Sequence, residues 1–211
     1  MPPLADLEDL LRGTSLEVAP RLLGAVLRHD GVAVRLTEVE AYAGPDDPGS
    51  HAYRGMTRRN TVMFGPSGRL YCYFTYGMHV CANVVVGTEG DPAAVLVRAG
   101  EVVEGLELAR DRRPGARDRD LARGPARLCR ALRIGLEHDG VDLARGAVRL
   151  EPGNAVAAVS SGPRVGLRGA PERPWRFWVT GDPTVSAYRP AAPLRRRRPG
   201  GDQAGAPPDL S

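Results

Sequence analysis

Leucines alternate with acids over residues 4–12 (LADLEDLLR), a spacing that predicts a short amphipathic helix. A second helical stretch, SLEVAPRLLG, follows, with Ser15 in a capping position and Pro20 expected to start or break a turn. GAVLRHDGVAVRLTEVEAY reads as a hairpin, with Asp30-Gly31 at the turn and valines alternating after it. Glu38 and Glu40 then share one face of the second strand, with Val39 on the other. The segment AGPDDPGSHAYRGMTRRN, rich in Gly, Pro and charge, is expected to be loop. After a GPSG turn at 65–68 the strand pattern resumes over 69–76 and 79–86, divided near Gly77. AVLVRA at 94–99 reads as a buried strand with one embedded charge, Arg98. GLELARDRR is helical in pattern, and 111–124 reads as a charged, mobile loop. GPARLCRALRIG is a helix with Pro125 near its first position, where a missing N–H is harmless. VRLEPG and WRFWVTG are late strands around a loop at 153–164. The sum is an α+β fold: a single domain with a mostly antiparallel, curved β-sheet flanked by helices. That domain is expected over 1–189. The Arg/Pro-rich tail, 190–211, has almost no apolar anchor and is expected to be disordered.

A chain of 211 residues suits one good-sized domain. No apolar run approaches the ~20 residues of a membrane span, and the acidic start MPPLADLEDLLRG has no basic n-region, so no export signal is expected. Three cysteines (Cys72, Cys81, Cys129), odd in number and without CxxC spacing, fit reduced thiols and a cytoplasmic location. Charge changes the picture more through its distribution than through the net +4. From Pro48 to Thr88 there is no Asp or Glu, while Arg54, Arg58, Arg59, Arg69, His51 and His79 all fall in that window. So does RLYCYFTYG, which concentrates Tyr71, Tyr73, Phe74 and Tyr76 in a chain with only three Phe, two Trp and six Tyr. Basic residues interleaved with rings suit a phosphate backbone and stacked bases; a solvated basic face beside a core strand accounts for the same composition. All 29 basic residues are arginine, so no side-chain amine is available for a Schiff base.

TEVEAY places the Glu40 carboxylate and the Tyr42 ring two residues apart, on one side of a strand. A glutamate buried under a ring can act as a general base, although most strand glutamates are simply solvated. Arg98, inside an apolar strand, needs a carboxylate partner, and Glu40 is a candidate. Structural ion pairs outnumber catalytic ones, so the two residues alone leave both readings open. His51 lies in a Gly/Ser loop where it could serve a metal, a base or a phosphate. No other His or Cys stands at ligand spacing, so no metal is expected. No glycine-rich phosphate loop or nucleophile motif is present, so no cofactor is expected.

Taken together, EVEAYAGPDDPGSHAYRGMTRRN, MFGPSGRLYCYFTYGMHVCANVV, VLVRA, GPARLCRAL and GDPTVS closely resemble the alkyladenine (3-methyladenine) DNA glycosylase family, from about Leu16 to Arg189. The resemblance implies a monofunctional enzyme of base excision repair, one that flips alkylated purines out of duplex DNA and hydrolyses the N-glycosidic bond. It implies Glu40 as the carboxylate that deprotonates water and Arg98, with the Val185 backbone carbonyl, as its partners in holding that water. It places Tyr42, His51, Tyr73 and Asn83 around the base, Asn83 crowding the exocyclic amine of guanine. Tyr76 would fill the vacated stack. Tyr71 and Phe74 are expected to be core packing. Arg54, Arg58, Arg59 and the helix start at Gly124–Arg127, Arg127 included, are expected to meet phosphates, and the RRRR run at 195–198 could tether DNA non-specifically. The implied partner is double-stranded DNA bearing alkylated purines, acted on by a monomer without a membrane. The departures from the family's pattern are the charged 111–124 segment, the Arg-rich tail and His79 after YGM. Two other readings stay open: a non-catalytic nucleic-acid-binding domain, and a hydrolase of free nucleosides.

Overall fold

The computed structural model describes residues 6–75 and 77–192. Tyr76 and the 195–198 arginine run lie outside the described residues. The chain opens with α1 (Leu7–Leu11) and α2 (Ser15–Arg21), then the hairpin β1 (Val26–His29) and β2 (Val32–Tyr42). Asp30 and Gly31 both take positive φ, 46° and 77°, the mirror-image turn that matches strand twist. The cap of α2 is Thr14, which forms a reciprocal capping box with Glu17, and not Ser15; Pro20 sits inside that helix, in its last turn.

After a long loop come β3 (Leu70–Thr75), β4 (His79–Val86) and β5 (Ala93–Glu104), then α3 (Leu106–Arg112), α4 (Pro125–Leu132), β6 (Arg149–Glu151), β7 (Val159–Gly162) and β8 (Arg176–Val179). All strand pairs are antiparallel and the main path runs β3-β4-β5-β2-β1-β6. The eleven-residue β2 is the axis of the sheet. One edge pairs with β5 along most of its length; the other pairs with β1 at its start and β8 at Glu38–Glu40. One face of the curled sheet buries a leucine- and valine-rich core under α2 and α4. Leu128, Cys129, Ala131 and Leu132 form the buried stripe of α4, each leucine worth roughly 1.5–3 kcal/mol when fully buried.

The β2–β5 ladder is irregular where function is expected. Glu38 pairs with Ala99 and Val39 with Val97, so Arg98 has no partner in the register. An extra residue of this kind bends a strand and re-aims its side chain. Just beyond it, a Cβ at Gly100 would stand 2.4 Å from the Arg35 carbonyl oxygen, so only glycine lets the strands approach there.

Two of the expected loops differ. The 111–124 segment is not a free loop: Leu121 and Ala122 are buried in the core, and Arg110–Asp118, Arg117–Asp120 and Arg123–Asp120 pairs bind the segment to itself and to α3. The loop expected at 153–164 contains β7, a Val-Ser-Ser-Gly strand with little β-propensity that forms because β8 offers it an edge.

Candidate active site

Strand alternation explains the site. On β3 and β4, Leu70, Cys72, Ala82 and Val84 point into the main core, while Tyr71, Tyr73, Cys81 and Asn83 point to the other face. Tyr71 and Val85 there join a second small cluster with Ala52, Met63 and Ala94. This cluster is the floor of a cavity of about 530 Å³. Its walls carry Glu40, Tyr42, His51, Tyr73, Asn83 and Arg98, drawn from four strands and the 43–60 loop. Phe74 is not core: it is 46% exposed, at the same cavity. Tyr71 is buried, and its hydroxyl lies 3.0 Å from His51 Nδ1.

Glu40 is fully buried at the cavity wall, with two hydrogen-bond donors and one guanidinium beside its carboxylate. Tyr42 Oη donates to Oε2 at 2.9 Å, the Val165 N–H to Oε1 at 2.6 Å, and the Arg98 guanidinium lies 3.3 Å from Oε1. The closer partner of Arg98 is Glu38, whose Oε1 accepts from Nε at 2.8 Å. Burial acts to lower the Arg98 guanidinium, but the Glu40 and Glu38 carboxylates outweigh it and leave it above its ordinary range. Burial, reinforced by Glu40, holds the Tyr42 hydroxyl far above its usual range, so it stays a donor.

The rings are arranged as a slot. His51 meets Tyr73 edge-on, with centroids 4.5 Å apart, and Tyr71 lies 5.7 Å from Tyr73. Desolvation of the ring against the slot and the nearby Arg59 push the His51 imidazole below its ordinary value, although the residue as a whole is exposed, favouring its neutral form at pH 7. Asn83 is buried, and its amide donates to the Tyr71 carbonyl at 3.0 Å, so the side chain cannot swing away without losing that bond. The Arg59 guanidinium sits 5.6 Å from the Tyr73 centroid and donates to the Phe74 carbonyl. Arg54, Arg58 and Arg127 are exposed. The Val185 carbonyl accepts from Arg123 Nε at 2.8 Å and is not on the cavity wall.

Sequence reasoning missed four participants. Glu38 lay in plain view on the Glu40 face, yet nothing local marked it as the stronger partner of Arg98. The Val165 amide could not be found from side-chain chemistry. Asp47 and Arg164 are both fully buried and form a bidentate pair, 117 residues apart in sequence. The Arg164 guanidinium also lies 4.7 Å from the Tyr42 ring centroid, stacking under the residue that touches Glu40.

A larger cavity, about 810 Å³, opens between the first two helices and the 43–46, 87–93 and 142–145 segments. Its walls hold Glu8, Glu17, Asp46, Asp91 and Asp142 against only Arg12 and Arg145, and no aromatic ring. Such a wall repels phosphate and offers no stacking surface. Among the described residues no group of three or more His, Cys, Asp or Glu stands together to hold a metal, and no helix is long and apolar enough to cross a membrane.

Residues 9–183 match the family model described as methylpurine-DNA glycosylase (MPG). A relative from Leifsonia xyli subsp. xyli is 55% identical over 194 residues, covering 86% of this chain and 91% of that protein. One from Streptomyces avermitilis is 55% identical with the same two coverages, and one from Nocardia farcinica is 54% identical, covering 83% of this chain and 88% of its own length. All three bear the name "Putative 3-methyladenine DNA glycosylase". The fold is the α+β arrangement expected, a curled antiparallel sheet with few helices. The chain belongs to the methylpurine-DNA glycosylase family and is a DNA glycosylase, a hydrolase of N-glycosyl bonds.

Proposed function

We propose that the ring-lined cavity receives an alkylated purine, of the 3-methyladenine or 7-methylguanine type, rotated out of duplex DNA, and that Glu40 deprotonates a water for attack on the sugar C1′. The observation that carries this reading is the position of Glu40: fully buried, on the wall of the ring-lined cavity, held by two hydrogen-bond donors and paired with Arg98. The cavity volume lies within the ~300–1,000 Å³ of small-ligand sites. Among the described residues Glu40 is the sole carboxylate lining it. Glycoside hydrolysis ordinarily uses two, one of them to protonate the leaving group. A purine alkylated at N3 or N7 is already cationic and departs without that help. The electron-rich faces of Tyr73 and Tyr42 favour a cation, and a neutral His51 does not repel one.

In this reading Arg98 holds the water with Glu40; the share assigned to the Val185 carbonyl rests on the resemblance alone, since that carbonyl accepts from Arg123 and Val185 does not line the cavity. Arg54, Arg58, Arg59 and Arg127 meet phosphates, and among the described residues none of the four forms an ion pair, unlike Arg28, Arg35, Arg98 and Arg110. Phe74 and Met78, both exposed on the β3–β4 hairpin, give that hairpin an apolar tip for the minor groove. The assignment of Tyr76 to the vacated stack rests on the resemblance alone. The enzyme acts as a monomer in the cytoplasm, at the nucleoid, and three free buried thiols fit a reducing compartment.

A duplex carrying one 3-methyladenine tests the proposal, with free base and strand breaks scored separately. The expected products are free methylated base and an unbroken strand with an abasic site, because a chain without lysine has no side-chain amine for imine formation. Turnover of the free nucleoside at the duplex rate, or cleavage of the strand without alkali, overturns it.

Asn83 should govern discrimination. Asn83→Ala removes the fixed amide beside the base and makes room for the guanine exocyclic amine. Release of normal guanine from undamaged DNA is expected to rise about tenfold, steric exclusion of this size being worth ~1–3 kcal/mol. Release of 3-methyladenine should change less than threefold. Equal changes for both bases would remove Asn83 from the selection step.

A further inference from the structure

Glu38 has no part in the reading above, yet it is fully buried and completely satisfied. Its Oε1 accepts from Arg98 Nε at 2.8 Å, from Ser186 Oγ at 2.9 Å and from the Arg176 guanidinium at 3.3 Å; its Oε2 accepts the Ser186 N–H at 2.6 Å. One arginine would be enough to pair a buried carboxylate. Here four donors converge from β5, β8 and the 182–186 turn, and one of the residues that supply them, Arg98, also reaches the Glu40 carboxylate.

We infer that Glu38 is a positioning residue for the glycosylase reaction: it aims Arg98 at Glu40 and fixes the plane of the Val185–Ser186 peptide. The inference rests on Glu40 being the base. A guanidinium is rigid and planar, so holding Arg98 Nε on Glu38 determines where its NH1 group lies, 3.3 Å from Glu40. The bulge at Arg98 removes it from the strand ladder, which leaves the two carboxylates to set its direction. The second effect follows from peptide planarity. The Ser186 N–H and the Val185 C=O belong to one trans unit and point in opposite directions. Glu38 grips the N–H, so it also aims the carbonyl. The same turn is tied to β2 one residue earlier, where the Thr37 and Thr184 hydroxyls lie 2.7 Å apart. Arg98 and the 182–186 turn thus share one anchor. A purely structural ion pair would stabilise the sheet without any special dependence on Arg98.

Single-turnover base release and binding to an abasic duplex separate these possibilities in wild type, Glu38→Gln, Arg98→Gln, the Glu38→Gln/Arg98→Gln double variant and Glu40→Gln. Glu38→Gln is expected to slow release about 10²-fold, the cost of a misplacement near 1 Å, and to leave abasic-duplex binding within threefold. The double variant should fall within tenfold of Arg98→Gln alone, because Glu38 acts largely through that arginine. Where Glu38→Gln alone does not fold, Glu38→Gln/Arg176→Met restores the charge balance, keeps Arg98, and should show the same 10²-fold loss. Release within threefold of wild type, additive losses in the cycle, loss of release matched by loss of binding, or failure of both variants to fold each overturns the inference. Release that survives Glu40→Gln brings down the underlying reading instead. Release lost in Glu40→Gln but kept in Glu38→Gln brings down only the role of Glu38.

Discussion

Replacing Glu40 by glutamine should stop base release while leaving DNA binding in place. The expected loss is about 10³-fold in the single-turnover rate, inside the ~10²–10⁴ range for a positioned general base. Glutamine keeps the shape of the side chain, and its carbonyl oxygen can still accept from Tyr42 or from the Val165 N–H. Arg98 keeps Glu38 as its closer partner, so the substitution leaves no guanidinium unpaired. The fold should survive for that reason, and binding to an abasic duplex should stay within about threefold of wild type. The two measurements together matter. Loss of both would point to a damaged fold. Retention of release within tenfold would remove Glu40 as the base and pass the role to His51, because among the described residues no other carboxylate lines the cavity.

Much of this frame was legible in the sequence. The Asp30-Gly31 turn, the valine alternation of β2, the division of β3 from β4 near Gly77 and the Gly-Pro opening of α4 are local signals read at short range. The adjacency of Glu40 and Tyr42 was also within reach, because strand alternation places side chains by parity, and Arg98 could be joined to them because a buried guanidinium needs a carboxylate. What could not be read depends on which strands become neighbours. β7 has a composition unsuited to a strand and exists because β8 is next to it. Phe74 was expected in the core, but the β3–β4 hairpin runs on past Asn83, where pairing of β4 with β5 stops, and the ring is exposed there. The 111–124 segment looked free because its charges were counted singly; their pairing with one another, and the two apolar residues that anchor it, depend on the folded path. The long-range pairs were the least visible. Nothing in SGPRVG announces a buried guanidinium, and nothing in GPDDPG says which aspartate will meet it.

That pair carries the largest stability effect expected in the molecule. Arg164 and Asp47 are both fully buried. Asp47 accepts from both terminal nitrogens of the guanidinium, NH2 at 2.7 Å, and from the Gly49 N–H at 3.0 Å; Arg164 also donates to the Ala41 carbonyl at 3.0 Å. The Tyr42 and Trp175 rings flank the cation, at 4.7 and 5.0 Å. A Cβ at Gly49 would stand 2.9 Å from the guanidinium and 2.4 Å from Leu167, so the loop closes over the pair with no room for solvent. Asp47→Ala leaves a buried cation with one carbonyl and two ring faces. The expected cost is ~3–5 kcal/mol, a large part of the ~5–15 kcal/mol that holds an ordinary domain, measured as the shift in a urea unfolding curve. Asp47→Leu combined with Arg164→Met removes both charges and should recover most of that loss, because the penalty lies in the unpaired charge rather than in the missing bond. Activity should not recover with stability. Arg164 precedes Val165, whose N–H holds Glu40, and it supports the Tyr42 ring whose hydroxyl holds the other carboxylate oxygen. The doubly apolar protein is therefore expected to fold and to bind an abasic duplex, yet to release base at least tenfold more slowly. A loss below about 1 kcal/mol in Asp47→Ala would mean that water reaches the guanidinium, and the fixed position of the Val165 amide would then need another cause.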